Sequence, residues 1–561
     1  MTVTRRFFFH LIALVTLSTF ATGVGNILAL LFDTLTSGSR VQIGRERFDV
    51  QQLSLGLAMI VIAGPLWFFF WRSIQQRVHG NAEEAGSSIR KLYLNLVAVA
   101  SALTSLAMAS SVLNWLLNGA PLADFRSGFL ATGIVTGLLW LFHWRLSERE
   151  GYPIPPGRTF RRWYVYILAG FGLVWMVEGL VQLVSASILT LPVWGQTIVR
   201  ADFWNASVRS SVAHILLGGL AWYVHWFRFS RDDYDSVLRQ TYFYLITVSG
   251  GALTALTAIT FTLSGILVWI LGGTVETAGR HFQFLAWTLP AALLGVAVWS
   301  YHQRLVQEEQ VHVRERSQSA ERAHLYLMSF ISLGAMVAGL LLLFIIIVNL
   351  AIGGLSTGVG QAAGFWQEML GLCIALIVVG TPLWLWFWGK VLRRAQAGGL
   401  DEWRARSRRL YLYAVVAISI IALAVALVNV VYQFVNSILL GTVGINTLRA
   451  VRWSFPIIIV GVPLFLYHWR IVRAGQKRGA EAMPRKTVTL LTADPTGSLA
   501  ARLAEKLGAK VRVLHQLGAA PDVVSDEDIA RIVQEIEAAP GTRVMVLSCL
   551  GQITAVPYEE R

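Results

Sequence analysis

Arg408-Arg409-Leu410-Tyr411-Leu412-Tyr413 opens an apolar run that reaches Leu440, and Phe465-Leu466-Tyr467-His468-Trp469-Arg470 closes a shorter one. The opening recurs as Arg5-Arg6-Phe7-Phe8, Arg90-Lys91-Leu92-Tyr93, Arg161-Arg162-Trp163-Tyr164, Arg239-Gln240-Thr241-Tyr242 and Arg322-Ala323-His324-Leu325-Tyr326. The closing recurs as Trp67-Phe68-Phe69-Phe70-Trp71-Arg72, Trp140-Leu141-Phe142-His143-Trp144-Arg145, Trp222-Tyr223-Val224-His225-Trp226, Trp299-Ser300-Tyr301-His302-Gln303-Arg304 and Trp384-Leu385-Trp386-Phe387-Trp388. A period of roughly 80 residues makes this pair of apolar runs the repeating unit. Each unit reads as a long helix followed by a shorter one.

Of 561 residues, 55% are hydrophobic and only 14% are charged, well under the roughly 25% charged of soluble domains. Apolar surface that faces lipid needs no relief by charge, so an all-α polytopic membrane protein is expected. A net charge of +15 would suggest nucleic acid in a soluble chain, but its placement in short loops argues against that partner. Cys373 lies in an apolar run and Cys549 in the tail, neither at disulfide or zinc spacing, so no metal or cofactor is expected from them. Arg5 and Arg6 before an apolar run resemble a signal peptide, but the run continues to Phe32. That is too long for a cleaved segment, and a retained helix is expected.

Spans long enough to cross roughly 30 Å of hydrocarbon fall near 7–32, 51–71, 92–117, 125–144, 163–191, 208–227, 241–271, 283–302, 325–352, 366–388, 410–440 and 453–469. Lys and Arg gather in the loops between repeats, most densely at Lys390, Arg393, Arg394, Arg404, Arg406, Arg408 and Arg409, while 353–368 has none. By the positive-inside rule both termini face the cytoplasm, as expected in a bacterial inner membrane. All six hairpins then share one topology, as parallel and not inverted repeats. The repeats run about 1–80, 87–150, 158–232, 236–315, 320–396 and 402–475.

Beyond 475 the character changes. Residues 476–486 form a basic linker with Lys477, Arg478, Arg485 and Lys486, expected to lie against anionic lipid headgroups. Residues 487–561 read as a small soluble α/β domain, with strands at Thr487–Thr492, Lys510–His515 and Arg543–Cys549 and helices at 498–507 and 526–538. That alternation predicts a parallel βαβαβ sheet.

His143, His225, His302 and His468 share one register beside Trp144, Trp226 and Trp469. Two imidazoles on facing helices can hold haem, but amphipathic aromatics at a span end read first as interfacial anchors. Eighteen positions after each opening aromatic stand Asn26, Ser111, Gln182, Thr260, Phe344 and Asn429, with Asn114, Glu178, Asn349 and Gln433 nearby. Such a layer reads either as a polar pathway or as interhelical hydrogen bonding. Glu178 is a carboxylate deep within a span, which is a functional hypothesis by default, and Gln182 and His214 are its candidate partners. Pro65, Pro382 and Pro463 share a register two residues before the closing aromatic, where each frees a carbonyl and kinks its helix. In the tail, Thr492-Ala493-Asp494-Pro495-Thr496-Gly497-Ser498 links a strand to a helix. It lacks the lysine and glycines of nucleotide loops, so helix capping is expected there.

Openings such as Arg408-Arg409-Leu410-Tyr411-Leu412-Tyr413, with closings such as Tyr467-His468-Trp469-Arg470, resemble the bacterial membrane-repeat family known as domain of unknown function 5671. The resemblance covers most of 1–475 and brings no activity or catalytic residues with it. Two functions stay open: a non-enzymatic scaffold or sensor whose tail domain binds a protein partner or ligand, and a transporter or channel whose route is lined by the polar layer and Glu178.

Overall fold

The computed structural model describes residues 3–36, 45–79, 81–194, 203–234, 236–274, 276–309, 314–354, 365–397, 402–403, 405–481, 487–494, 497–507, 511–516, 524–540, 543–549 and 552–559. They divide into two compact units, Met1–Arg394 with Ala417–Leu464 and Ala395–Val416 with Phe465–Arg561.

The first unit is built of long helices: α1 (Val3–Thr36), α2 (Arg45–Val78), α3 (Ser88–Leu117), α4 (Ser127–Glu150), α5 (Pro155–Leu189) and α6 (Ala206–Trp222). These are followed by α7 (Val237–Ile270), α8 (Leu285–Glu309), α9 (Arg314–Gly354) and α10 (Phe365–Ala397). Helices α11 (Arg406–Leu439) and α12 (Ser454–Glu481) contribute to both units. Eleven described helices are long and apolar enough to cross a membrane, as expected of chains that must satisfy every backbone polar group internally. The segment expected at 208–227 is helical throughout, but α6 holds 17 residues and continues as a seven-residue π-helix, Tyr223–Phe229. A second π-helical stretch, Tyr242–Val248, lies inside α7. The helices overrun their apolar windows because the charged openings are themselves helical; α9 starts at Arg314, well before the apolar run.

Within hairpins the helix backbones touch. A Cβ on Gly172 of α5 would lie 2.6 Å from the Trp222 amide nitrogen, and one on Gly218 of α6 would lie 2.7 Å from the Gly172 carbonyl. Gly251 and Gly295 repeat this arrangement between α7 and α8, each Cβ meeting the other's carbonyl at 2.8 Å. Small residues permit this approach, and close van der Waals packing then holds the pair where no hydrophobic drive exists. Pro65, Pro382 and Pro463 all sit inside helices. Beside Pro382, Gly380 lets α9 approach so closely that its Cβ would lie 2.7 Å from the Met336 nitrogen. Successive hairpins pack through their first helices: α1 against α4, α3 against α5 and α6, and α5 against α8.

The tail of the second unit holds a four-stranded sheet in the order β2-β1-β3-β4. Strand β1 (Thr487–Thr492) runs parallel to both β2 (Val511–His515) and β3 (Arg543–Cys549). A fourth strand, β4 (Gln552–Pro557), returns antiparallel to β3, so the sheet is mixed and not the purely parallel one expected. This short edge strand pairs with β3 from Cys549–Gln552 to Val544–Pro557 and ends in a proline, a residue that sheets confine to their edges. Helices α13 (Ser498–Leu507) and α14 (Asp526–Ala538) supply Leu499, Leu503, Ile529, Ile532 and Ile536 to one core with Val488, Leu490, Val544 and Val546. Ser525 caps α14, its Oγ accepting the Asp528 amide at 3.1 Å. Residues 482–486 of the basic linker lie outside the described residues.

Candidate functional site

Glu178 stands on α5 facing α6, and both partners expected from sequence meet it. His214 Nδ1 lies 2.7 Å from Glu178 Oε2, and the Gln182 amide donates to Oε1. Gln182 Oε1 in turn accepts from Ser211 Oγ at 3.2 Å, and Trp175 stacks on the His214 ring at 4.6 Å. The close approach at Gly179, whose Cβ would lie 2.6 Å from the Ser211 carbonyl, is what brings these polar groups into reach. The cluster is only half enclosed, with 39% of the Glu178 side chain and 23% of His214 exposed.

The other residues of the layer bond within their own neighbourhoods. Asn114 Nδ2 donates to Ser210 Oγ at 2.6 Å, and Arg209 Nε donates to Asn114 Oδ1 at 3.2 Å. Asn429 donates to Ser454 Oγ at 3.0 Å, with Gln433 half-buried one turn on. Ser111 and Thr260 donate to carbonyls of their own helices. Asn26 lines a cavity of about 370 Å³ between α1, α3 and α4, whose lining does not include Glu178. The layer is therefore a set of local pairs, and the structure does not bring its members to one site.

The histidines expected at an interfacial belt are placed inside the helix packing. His143, His302 and His468 are fully buried, and His225 and Trp226 are 5% exposed; Trp144 and Trp469 are half-buried. His143, His225 and His302 each donate from Nδ1 to the carbonyl four residues back, because a carbonyl can only accept. That leaves Nε2 as an acceptor. Around His225 the chain is complete: Trp140 Nε1 donates to Tyr164 Oη at 3.0 Å, and Tyr164 Oη donates to His225 Nε2 at 3.2 Å. Tyr411 and His468 are similarly placed at 3.4 Å. Trp222, Tyr242 and His302 are neighbours in the same register, with the tyrosine and histidine rings 6.1 Å apart, but Trp222 Nε1, Tyr242 Oη and His302 Nε2 make no hydrogen bond among the described residues. The relay at His225 takes its tryptophan from one hairpin and its tyrosine and histidine from the next, so the Trp-x-x-His spacing within a single closing helix, which sets Trp140 beside His143, could not reveal it.

Missed from sequence is a set of ion-pair clamps that close the hairpins at their basic end. Arg6 pairs with Glu84 at 2.8 Å, Arg90 with Glu150 at 2.5 Å, Arg162 with Asp233 at 2.6 Å and Arg239 with Glu309 at 2.6 Å. In the fifth hairpin the charges are exchanged: Glu321 opens it and Arg394 closes it, 3.0 Å apart. Glu150 and Glu309 follow His143 and His302 by seven residues, and Arg394 follows Phe387 by seven. Asp233 follows His225 by eight, and the π-helix Tyr223–Phe229 accommodates the extra residue. Arg90 and Arg239 are buried, and Arg239 also lies 4.8 Å above the Trp226 ring. Burial on this scale is tolerated only because each guanidinium is paired and bonded.

In the tail, Asp494 Oδ2 accepts the Leu499 amide at 3.1 Å and the Ser498 hydroxyl at 2.9 Å. The loop thus caps α13; Pro495 and Thr496 lie outside the described residues. Among the described residues, no group of three His, Cys, Asp or Glu side chains is placed to hold a metal ion.

The sequence pattern of the domain of unknown function (DUF5671) matches residues 6–126, 162–301 and 322–447. The chain belongs to this family. The three matches begin at Arg6, Arg162 and Arg322, which are the openings of the first, third and fifth hairpins. No curated protein and no solved structure matches this chain.

Proposed function

We propose that this family member is a non-enzymatic membrane scaffold or sensor that presents its α/β domain to the cytoplasm. The observation that carries this reading is the fate of the polar layer: Glu178, Asn114 and Asn429 are each bonded to a neighbouring helix. Side chains committed to helix contacts serve packing and leave little for a conducted solute. The tail supports the same reading, because it has a core of its own. The Lys and Arg distribution supports inward-facing termini, and the three family matches suggest a structural unit of two hairpins, used three times. Deleting 487–561 and crosslinking in intact membranes tests the proposal. The truncated chain should keep the thermal transition of its helices in detergent while losing a crosslinked partner recovered with the full chain. Equal recovery from both would overturn it.

A second reading, a transporter or channel, draws on the Glu178–His214 pair, half exposed within a spanning hairpin. In proteoliposomes carrying a pH gradient, a flux abolished by Glu178→Gln would favour that reading over the first.

A further inference from the structure

Four arginines converge on one cavity of about 470 Å³ at the basic end of hairpins two and three: Arg158, Arg161, Arg162 and Arg228. Two of them are held in place by acids, Arg161 by Glu148 at 2.8 Å and Arg162 by Asp233 at 2.6 Å. Asp233 is further occupied by the Tyr166 hydroxyl at 2.9 Å. Arg158 is oriented through its Nε, which donates to the Tyr152 carbonyl at 3.2 Å. Among the described residues, neither Arg158 nor Arg228 has a carboxylate partner, and both are exposed. Asp232 also lines the cavity, so a net positive charge remains after the internal pairs are formed. Arg228 is carried by the π-helix Tyr223–Phe229, an expensive local geometry that concentrates at functional sites. Trp163, which is exposed, follows Arg161 and Arg162 directly, the arrangement of a membrane interface.

We propose that this cavity binds the phosphate of an anionic lipid headgroup from the leaflet that the termini face. Guanidinium groups match phosphate oxygens in a bidentate fork. A basic pocket between spanning helices concentrates such headgroups where the leaflet itself is anionic. The two anchored arginines fix the cavity wall, and Arg158 and Arg228 supply the uncompensated charge. The inward orientation proposed above names the leaflet; the binding chemistry does not depend on it.

The test uses the full chain in detergent, titrated with cardiolipin, with phosphatidylcholine and with inorganic phosphate, and read by native mass spectrometry. Cardiolipin should remain bound where phosphatidylcholine does not. The Arg158→Ala/Arg228→Ala double variant should lower its retention about tenfold, whereas Arg145→Ala/Arg149→Ala, two exposed arginines outside the cavity, should leave it unchanged. Because Arg158 and Arg228 join no internal ion pair, thermal denaturation of the double variant should match that of the parent chain. Equal retention in both double variants, or equal loss in both, would overturn the proposal. Tight binding of inorganic phosphate that displaces cardiolipin would overturn the lipid source in favour of a soluble anion.

Discussion

Tyr164 joins three helical segments through one oxygen, accepting from Trp140 on α4 and donating to His225 beyond α6. Phenylalanine would keep the ring and strand both partners inside the helix packing, where an unmade bond costs more than the net worth of a made one. Tyr164→Phe should therefore lower the stability of the full chain by about 1–3 kcal/mol, read as a lower denaturant midpoint in detergent. An unchanged midpoint would mean that the relay carries no stability. Glu84 tests the clamps by titration. The Arg6 guanidinium, hydrogen-bonded to it, holds the Glu84 carboxyl down to about 2 from an ordinary value of 4.5. A carboxyl depressed on folding contributes stability that is present above its ordinary value and is lost as the pH falls through its folded one. The thermal midpoint should consequently fall between pH 4.5 and about 2, and Glu84→Gln should flatten that part of the profile. Of this residue-scale picture, the pairing of Glu178 with Gln182 and His214 was legible, since one lies a helical turn away and the other on the adjoining helix. The partnership of Tyr164 with His225 was not, because the two stand 61 positions apart and nothing local couples them.

At the scale of elements, the first five hairpins are closed at one end by charge, and the third to fifth are held along their length by small residues. The fifth hairpin indicates that the sense of the clamp is free, with Glu321 at the opening and Arg394 at the closing. Glu84→Arg alone should therefore destabilise the first hairpin, by repelling Arg6, and Arg6→Glu with Glu84→Arg should recover much of the loss. A double variant no better than the single would show that the clamp depends on its particular surroundings. Gly218 sets a harder limit. Its Cβ would stand 2.7 Å from the Gly172 carbonyl, a backbone atom that cannot turn aside as a side chain could. Gly218→Leu should force α5 and α6 apart and cost about 1–3 kcal/mol or more, visible as lost thermal stability and as wider spacing between spin labels on the two helices. The helices themselves were legible from apolar length alone. Their boundaries were not, because the polar turns at each opening are helical only where the clamps and the neighbouring hairpin take up their charges.

At the scale of the whole molecule, the chain is a set of membrane-length helices followed by a small α/β sheet region with a core of its own. Ile532 is completely buried in that core. Ile532→Ala should cost about 2–5 kcal/mol by the cavity it leaves and lower the unfolding transition of the tail alone. A shift of the helical transition by the same amount would show the two to be one cooperative body. What the amino-acid sequence determined by itself was the kind of elements: membrane-length helices follow from apolar length, the recurrence from the Arg-Tyr openings, and the α/β tail from a change of period. These are properties that water and lipid impose on a chain locally, so they can be read locally. Only the tertiary structure decided that the histidines turn inward, that acids seven or eight residues past them clamp the hairpins, and that the tail gains a fourth, antiparallel strand. Each of these depends on groups distant in sequence meeting in a low-dielectric interior, where an unpaired charge or hydrogen bond is too costly to leave. The interior selects the partner, and sequence spacing does not.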